Sequence, residues 1–171
     1  METTQVDWKN TVSLHEAFWN WKLAASSVPW AKRTPNMPSE LTEAIVCLCT
    51  GAKLISKGNG DILLKRNKIG EVKGTISSDH DLSTFSPSSK FDNLYFVHMD
   101  PNSNDIYHIY DLGIDRKSIS KIKVNSRSTF GDHSKAKRRP RFSIFEQIIK
   151  PKNLIPTWKL DMKKQVINTI K

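Results

Sequence analysis

Asp61 is followed after nine residues by Glu71-Val72-Lys73. Two carboxylates and one ammonium have a definite chemistry if the chain gathers them. Hard oxygen ligands with open coordination positions suit Mg²⁺, which keeps several waters and takes one or two carboxylates plus a substrate phosphate. An adjacent Lys can orient an attacking water and offset negative charge as it develops. Such a group can hydrolyse a phosphodiester. The same residues also allow a plain alternative, a charged solvent face on which Glu71 and Lys73 form a weak surface pair. A lone E-x-K triplet favours that alternative, so the surroundings have to decide.

The surroundings are a predicted hairpin. Asp61 to Lys65 and Lys68 to Thr75 read as two strands joined by a tight turn at Arg66-Asn67. Side chains two apart on a strand share a face, so Glu71 and Lys73 project together while Val72 enters the core on the other side. The turn folds the first strand back and brings Asp61 toward Glu71 and Lys73. An acid at hairpin distance, a strand flanked by apolar residues and a cationic segment later in the chain together favour the catalytic arrangement.

That cationic segment is visible in the charge distribution. The chain has 171 residues and a formal net charge of +10, from 27 Lys and Arg against 17 Asp and Glu. Residues 115–171 contain 16 Lys and Arg against four acids, while the first 114 residues contain 11 against 13. The densest run is Ser134-Lys135-Ala136-Lys137-Arg138-Arg139-Pro140-Arg141, preceded by Arg127 and His133 in what reads as a loop. A patch of this kind draws polyanions by counterion release, and Arg can read guanine edges with two parallel donors. A solvated basic loop, or a contact to acidic proteins, is the plain alternative.

Around these residues the chain reads as one domain. Leu14, Phe18, Trp21 and Ala25 fall at helical spacing, extended by Trp19 and Leu23, which predicts an amphipathic helix over 12–25 ending before Pro29. For Trp19 and Trp21, core and subunit interface are equally open. Ser39 reads as the N-cap of a second helix, with Glu40 and Glu43 in its first turn, stopping near Thr50-Gly51. Ser56 to Gly60 is a polar stretch and Ser77 to Ser89 a loop. Asn93 to Met99 and Asp105 to Asp111 read as a second pair of strands, Phe142 to Lys150 as a helix, and the end of the chain as helix or irregular. The predicted class is α/β or α+β, a mixed sheet of four or more strands flanked by helices.

At this point the chain resembles the PD-(D/E)XK nucleases. Asp61-x9-Glu71-Val72-Lys73 is similar to their signature, with the spacing found in the small dimeric restriction enzyme PvuII, although Gly60 stands where the signature has proline. Asn36 to Glu43, Asp81 to Pro87, Phe91 to Phe96 and Arg139 to Ile144 look like segments of small type II restriction enzymes, a group cutting interrupted GC-rich palindromes of the GCNGC kind. The likeness covers residues 36–145. It implies a phosphodiester cut by in-line attack of water with Mg²⁺ held by Asp61, Glu71 and the carbonyl of Val72, and the nucleophile positioned by Lys73. An acid from the preceding helix is common, and Glu43 fills that place ahead of Glu40, whose plain role is to complement the helix dipole. DNA contacts fall to Ser83, Thr84, Arg127, His133, Lys135, Lys137, Arg138, Arg139 and Arg141. The expected organisation is a single nuclease domain over 1–171: a helical segment 1–35 for dimerisation, a catalytic core 36–124 and a basic DNA-binding segment 125–171.

Several classes are excluded or set aside. The longest apolar runs are far shorter than a membrane span and Met1 to Thr4 lacks a signal pattern, so a cytoplasmic location is expected. Cys47 and Cys49 cannot supply two ligand pairs for zinc and read as reduced small hydrophobes. His98, Asp100 and His108 lack ligand spacing and read as packing and surface residues, and Gly58-Asn59-Gly60 is no phosphate loop. A homodimer follows if both strands of a palindrome are to be cut, and a restriction enzyme implies a cognate DNA methyltransferase in the same host. Two rivals stand beside this reading: another PD-(D/E)XK nuclease for repair, nicking or junctions, and a DNA-binding module that does not cleave.

Overall fold

The computed structural model describes residues 1–31, 36–77 and 81–170. Part of the expected loop at 77–89, residues 78–80, lies outside the described residues, as do 32–35 and 171 of the expected segments.

Among the described residues, ten strands and four α-helices follow in the order β1 (Glu2–Thr4), α1 (Trp8–Ser27), α2 (Ser39–Thr50), β2 (Lys53–Lys57), β3 (Ile62–Leu63), β4 (Ile69–Thr75), β5 (Ser83–Thr84), β6 (Asn93–Met99), β7 (Ile106–Asp111), α3 (Arg116–Ile119), α4 (Phe130–Lys135), β8 (Arg141–Phe142), β9 (Trp158–Asp161) and β10 (Val166–Thr169). Eight strands make one sheet in the order β1-β2-β3-β4-β6-β7-β9-β10, and β5 pairs with β8 in a separate ribbon. β4 and β6 run parallel, with Glu71 beside Leu94 and Lys73 beside Phe96. The mixed sheet flanked by helices is the class expected.

Alternation along the strands divides the interior into two cores. Val72, Tyr95, Val97, Tyr107, Ile109 and Leu160 pack with Phe18, Leu41 and Ile45 on one face. Leu94, Phe96, Tyr110 and Leu112 pack with Ile119, Phe130, Ile144 and Ile148 on the other. Burial of this many apolar side chains on both faces is the main stabilising term.

α2 ends as expected, with Gly51 at φ 70° in the left-handed region and its N–H bonded to the Cys47 carbonyl. Its start differs. Pro38 occupies the cap position and Ser39 is the first helical residue, its hydroxyl turned to Glu40 Oε2 at 3.1 Å. α2 lies close on β4 because Gly74 has no side chain: a Cβ there would sit 2.4 Å from the Thr42 methyl. That approach brings Glu43 toward the strand carrying Glu71 and Lys73.

α1 also presents a different stripe from the one expected. Its buried residues are Thr11, His15 and Phe18, whereas Trp21 is 57% exposed. The helix is rotated by a polar anchor: the His15 ring meets the Tyr107 hydroxyl at 2.8 Å and Asp105 at 3.1 Å. A pattern of apolar positions misses such an anchor. Trp19 packs partly buried against the first core.

Elsewhere, short strands replace predicted irregular segments. The polar stretch at 56–60 begins inside β2, which pairs with β3. The end of the chain is the hairpin β9–β10 on the outer side of β7 rather than helix or irregular structure. The expected helix at 142–150 is shortened to a π-helical turn, Phe145–Ile149, because Arg141 and Phe142 are committed to β8. Within the basic segment, α4 carries a reciprocal capping box between Thr129 and Asp132, so that stretch is not loop throughout.

Candidate active site

The hairpin between β3 and β4 turns at Arg66 and Asn67, both in the left-handed region at φ 60° and 58°. It places Asp61 beside the middle of β4. Asp61 Oδ2 accepts the backbone N–H of Val72 at 2.7 Å. Lys73 Nζ lies 2.7 Å from Glu71 Oε1 and 3.9 Å from Asp61 Oδ2. Val72 points the other way, into the first core. Gly60, where the signature has proline, sits at φ +87°, a conformation the pyrrolidine ring forbids.

The site is rich in negative charge for its depth. The Glu71 side chain is 6% exposed and those of Lys73 and Asp61 are 20% and 24% exposed. Burial, and then the Glu71 carboxylate, raise the pKa of Asp61 above the usual range, against the pull of Lys73 and the Val72 N–H. Glu43, half-buried on α2, is pushed up to about 8 by burial and by Asp61 and Glu40. Three carboxyl groups thus crowd one ammonium, and the raised pKa of Asp61 and Glu43 reflects a crowding of acids that a divalent cation would relieve. Asp61 and Glu71 offer hard oxygens and Asp61 Oδ1 has no partner among the described residues, which fits Mg²⁺. No three His, Cys, Asp or Glu side chains among the described residues converge closely enough to hold a metal between them.

Of the predicted DNA-contact residues, Ser83, Thr84 and Arg141, far apart in sequence, meet in the β5–β8 ribbon. Thr84 pairs with Arg141 on its exposed side, and Ser83, buried, pairs with Phe142 on its inner side. Beneath it Phe85 stacks on Phe142 with ring centroids 5.5 Å apart, and Lys73 Nζ lies 5.3 Å from the Phe85 ring. Asp81 anchors the far end, accepting the Ser143 hydroxyl and the N–H of Ile144 at 2.6 Å. The ribbon is thereby rooted next to the carboxylates. Lys135, Lys137, Arg138 and Arg139 are exposed on the segment leading into it, His133 bonds Ser128 at 2.8 Å, and Arg127 stands exposed on a separate turn.

Other residues set aside on spacing do come together. His98 and His108 pair across β6 and β7, and His108 Nε2 meets Asp100 Oδ2 at 3.0 Å. Cys47 and Cys49 are free thiols, and burial pushes each up to about 12, far from reactivity. A contact that spacing could not reveal is Ser89 Oγ, which donates to Glu71 Oε2 at 3.3 Å from a loop eighteen residues on.

Comparison with known proteins identifies the family. Residues 6–151 match the Bsp6I restriction endonuclease family. The type II restriction enzyme Bsp6I of Bacillus sp. (strain RFL6) is 34% identical over 154 residues, which span 89% of this chain and 88% of that protein. The chain belongs to the Bsp6I restriction endonuclease family. It is a type II restriction endonuclease with a PD-(D/E)XK core, and the resemblance drawn from Asp61, Glu71 and Lys73 holds at the level of the family. The Bsp6I match also runs through β6, β7 and the basic ribbon to the π-helical turn, so it includes the residues placed around the site.

Proposed function

We propose that this Bsp6I-family enzyme cuts both strands of double-stranded DNA at a short interrupted palindrome of the GCNGC kind, hydrolysing the phosphodiester with Mg²⁺ at Asp61, Glu71 and Lys73. The observation that supports it most is the sharing of one ammonium by two recessed carboxylates beside the ribbon that carries Arg141.

Asp61 and Glu71, with the carbonyl of Val72, are the groups that would hold the cation, which when bound supplies Lewis acidity toward the phosphodiester. Lys73 orients the attacking water through an N–H and offsets charge on the phosphoryl oxygens. The Val72 N–H holds Asp61 in its rotamer. Glu43 is the additional acid from α2, its carboxyl pushed up to about 8 and so mostly protonated at neutral pH in the free protein. Thr84 and Arg141 approach base edges, while Ser83 supports the ribbon from its inner side. Arg127, His133, Lys135, Lys137, Arg138 and Arg139 divide between bases and phosphates. Incubation with a plasmid tests this: discrete fragments with Mg²⁺ and intact plasmid with chelator are expected, and cutting unaffected by chelator contradicts it.

Lys135 and Lys137 are assigned to phosphates, being exposed and flexible in reach. Changing both to Ala weakens binding to every sequence and flattens the slope of log affinity against log salt by about 0.9 for each phosphate no longer neutralised. Binding titrations across a salt series measure this. An unchanged slope would place these residues away from DNA.

A palindrome cut on both strands is met most simply by two subunits, and the surface offered for a second copy is the C-terminal part of α1. Trp21 and Leu23 are 57% and 61% exposed there, and Trp30 beyond it 80%. Trp21→Lys is expected to split the dimer, slow double-strand cleavage and leave nicked intermediates without unfolding. Sedimentation at micromolar concentration measures it, and a wild type that is monomeric both free and on DNA would remove the two-fold arrangement.

No helix among the described residues is long and apolar enough to cross a membrane. Action on intracellular DNA places the enzyme in the cytoplasm, and protection of the host's own sites calls for a cognate methyltransferase.

A further inference from the structure

Lys73 holds one oxygen of Glu71, and Ser89 holds the other through its hydroxyl at 3.3 Å. Ser89 closes a turn, its N–H bonding the Ser86 carbonyl at 3.2 Å. Such a turn on a connecting segment has little intrinsic rigidity. Here it is tied down by Arg116, the first residue of α3. The Arg116 Nε donates to the Ser89 carbonyl at 3.0 Å and Nη2 to the Pro87 carbonyl at 3.3 Å. Its backbone N–H donates to the Phe91 carbonyl at 3.1 Å. The guanidinium lies 4.6 Å from the centroid of the fully buried Phe130 ring, and Asp115 caps α3 by accepting the Ser118 N–H at 2.7 Å.

We propose that Ser89 and Arg116 are positioning residues for the cleavage reaction: Ser89 and Lys73 grip the two oxygens of Glu71 from opposite sides, and Arg116 holds the Ser86–Ser89 turn so that the grip persists. Glu has several rotatable bonds, and ordering it only when cation and DNA arrive would cost side-chain entropy at that moment. Held from both sides, Glu71 is ordered beforehand. Only a guanidinium presents two donors in a fixed plane to two neighbouring carbonyls, so Lys cannot replace Arg116 in this role. The inference rests on Glu71 being an active-site carboxylate.

The test uses Ser89→Ala, Ser89→Thr and Arg116→Lys, with Glu71→Gln as reference. Calorimetric Mg²⁺ titration of the full chain, single-turnover cleavage against Mg²⁺, DNA affinity in metal-free buffer and thermal melting are measured for each. Removing a hydrogen bond to a charged acceptor weakens what it supports by roughly tenfold or more. Ser89→Ala and Arg116→Lys are therefore expected to weaken Mg²⁺ binding about tenfold and to raise the Mg²⁺ needed for cleavage in step. DNA affinity should stay unchanged, and Ser89→Thr, which keeps the hydroxyl, should behave as wild type. Wild-type Mg²⁺ affinity and cleavage in Ser89→Ala, with Glu71→Gln inactive, would overturn the brace alone. A lower melting temperature in Arg116→Lys without any change in Mg²⁺ affinity would also overturn it, leaving a structural role. A Glu71→Gln enzyme that cuts normally would overturn the underlying reading and the brace with it.

Discussion

Asp61→Asn is expected to lower the cleavage rate by roughly a thousandfold, the upper scale for removing one group that stabilises charge at a reacting centre. The substitution hardly changes volume, and the amide oxygen can still accept the Val72 N–H that Asp61 accepts at 2.7 Å. Folding is therefore preserved. The position now held by the free carboxylate oxygen becomes an N–H₂ donor, which cannot ligate a cation. Mg²⁺ binding should disappear in calorimetry, and DNA binding in metal-free buffer should survive. Single-turnover cleavage with a gel-shift control measures the contrast. A variant that cuts at near wild-type rate would remove Asp61 from the site.

Lys73→Met should produce a loss of similar kind by a different route. Met keeps an unbranched side chain of similar reach beside Phe85, whose ring centroid lies 5.3 Å from Lys73 Nζ. What goes is the ammonium that is 2.7 Å from Glu71 Oε1. The water then has no donor to orient it and the phosphoryl charge no cation from the chain, for a loss of about a hundredfold to a thousandfold. Mg²⁺ binding, however, should persist or tighten, because the ammonium no longer competes for Glu71. The pair of variants separates the two roles: Asp61→Asn loses the cation and the reaction together, and Lys73→Met loses the reaction alone. If Lys73→Met instead abolished Mg²⁺ binding and left cleavage intact at high Mg²⁺, Lys73 would be a structural partner of the carboxylates.

The elements legible from sequence are those decided by neighbours along the chain. The Arg66-Asn67 turn, the strands at 93–99 and 106–111, and the stop of α2 at Gly51 all depend on local alternation or on residues that tolerate special backbone angles. Because the turn is local, the meeting of Asp61, Glu71 and Lys73 is legible too. What stays hidden depends on partners far along the chain. β9 and β10 are four residues each and mix Lys159, Asp161 and Asn168 with their apolar positions, so it is the open edge of β7 that makes β9 a strand and the edge of β9 that makes β10 one. The stripe of α1 follows from His15 finding Tyr107, which no periodicity of apolar residues contains. The pairing of Thr84 with Arg141 and the reach of Ser89 to Glu71 are likewise tertiary. The basic segment is readable as charge, but its placement beside the carboxylates requires the ribbon.

Site-specific cutting by this set of residues is tested most directly by mapping DNA ends. Genomic DNA lacking modification is incubated with the wild-type chain and Mg²⁺, in parallel with Asp61→Asn, and every new end is sequenced. The account predicts that wild-type ends all fall at one fixed position within one recurring interrupted GC-rich palindrome, on both strands, and that Asp61→Asn gives none. Ends scattered without a common sequence, or the same ends from both proteins, would contradict it.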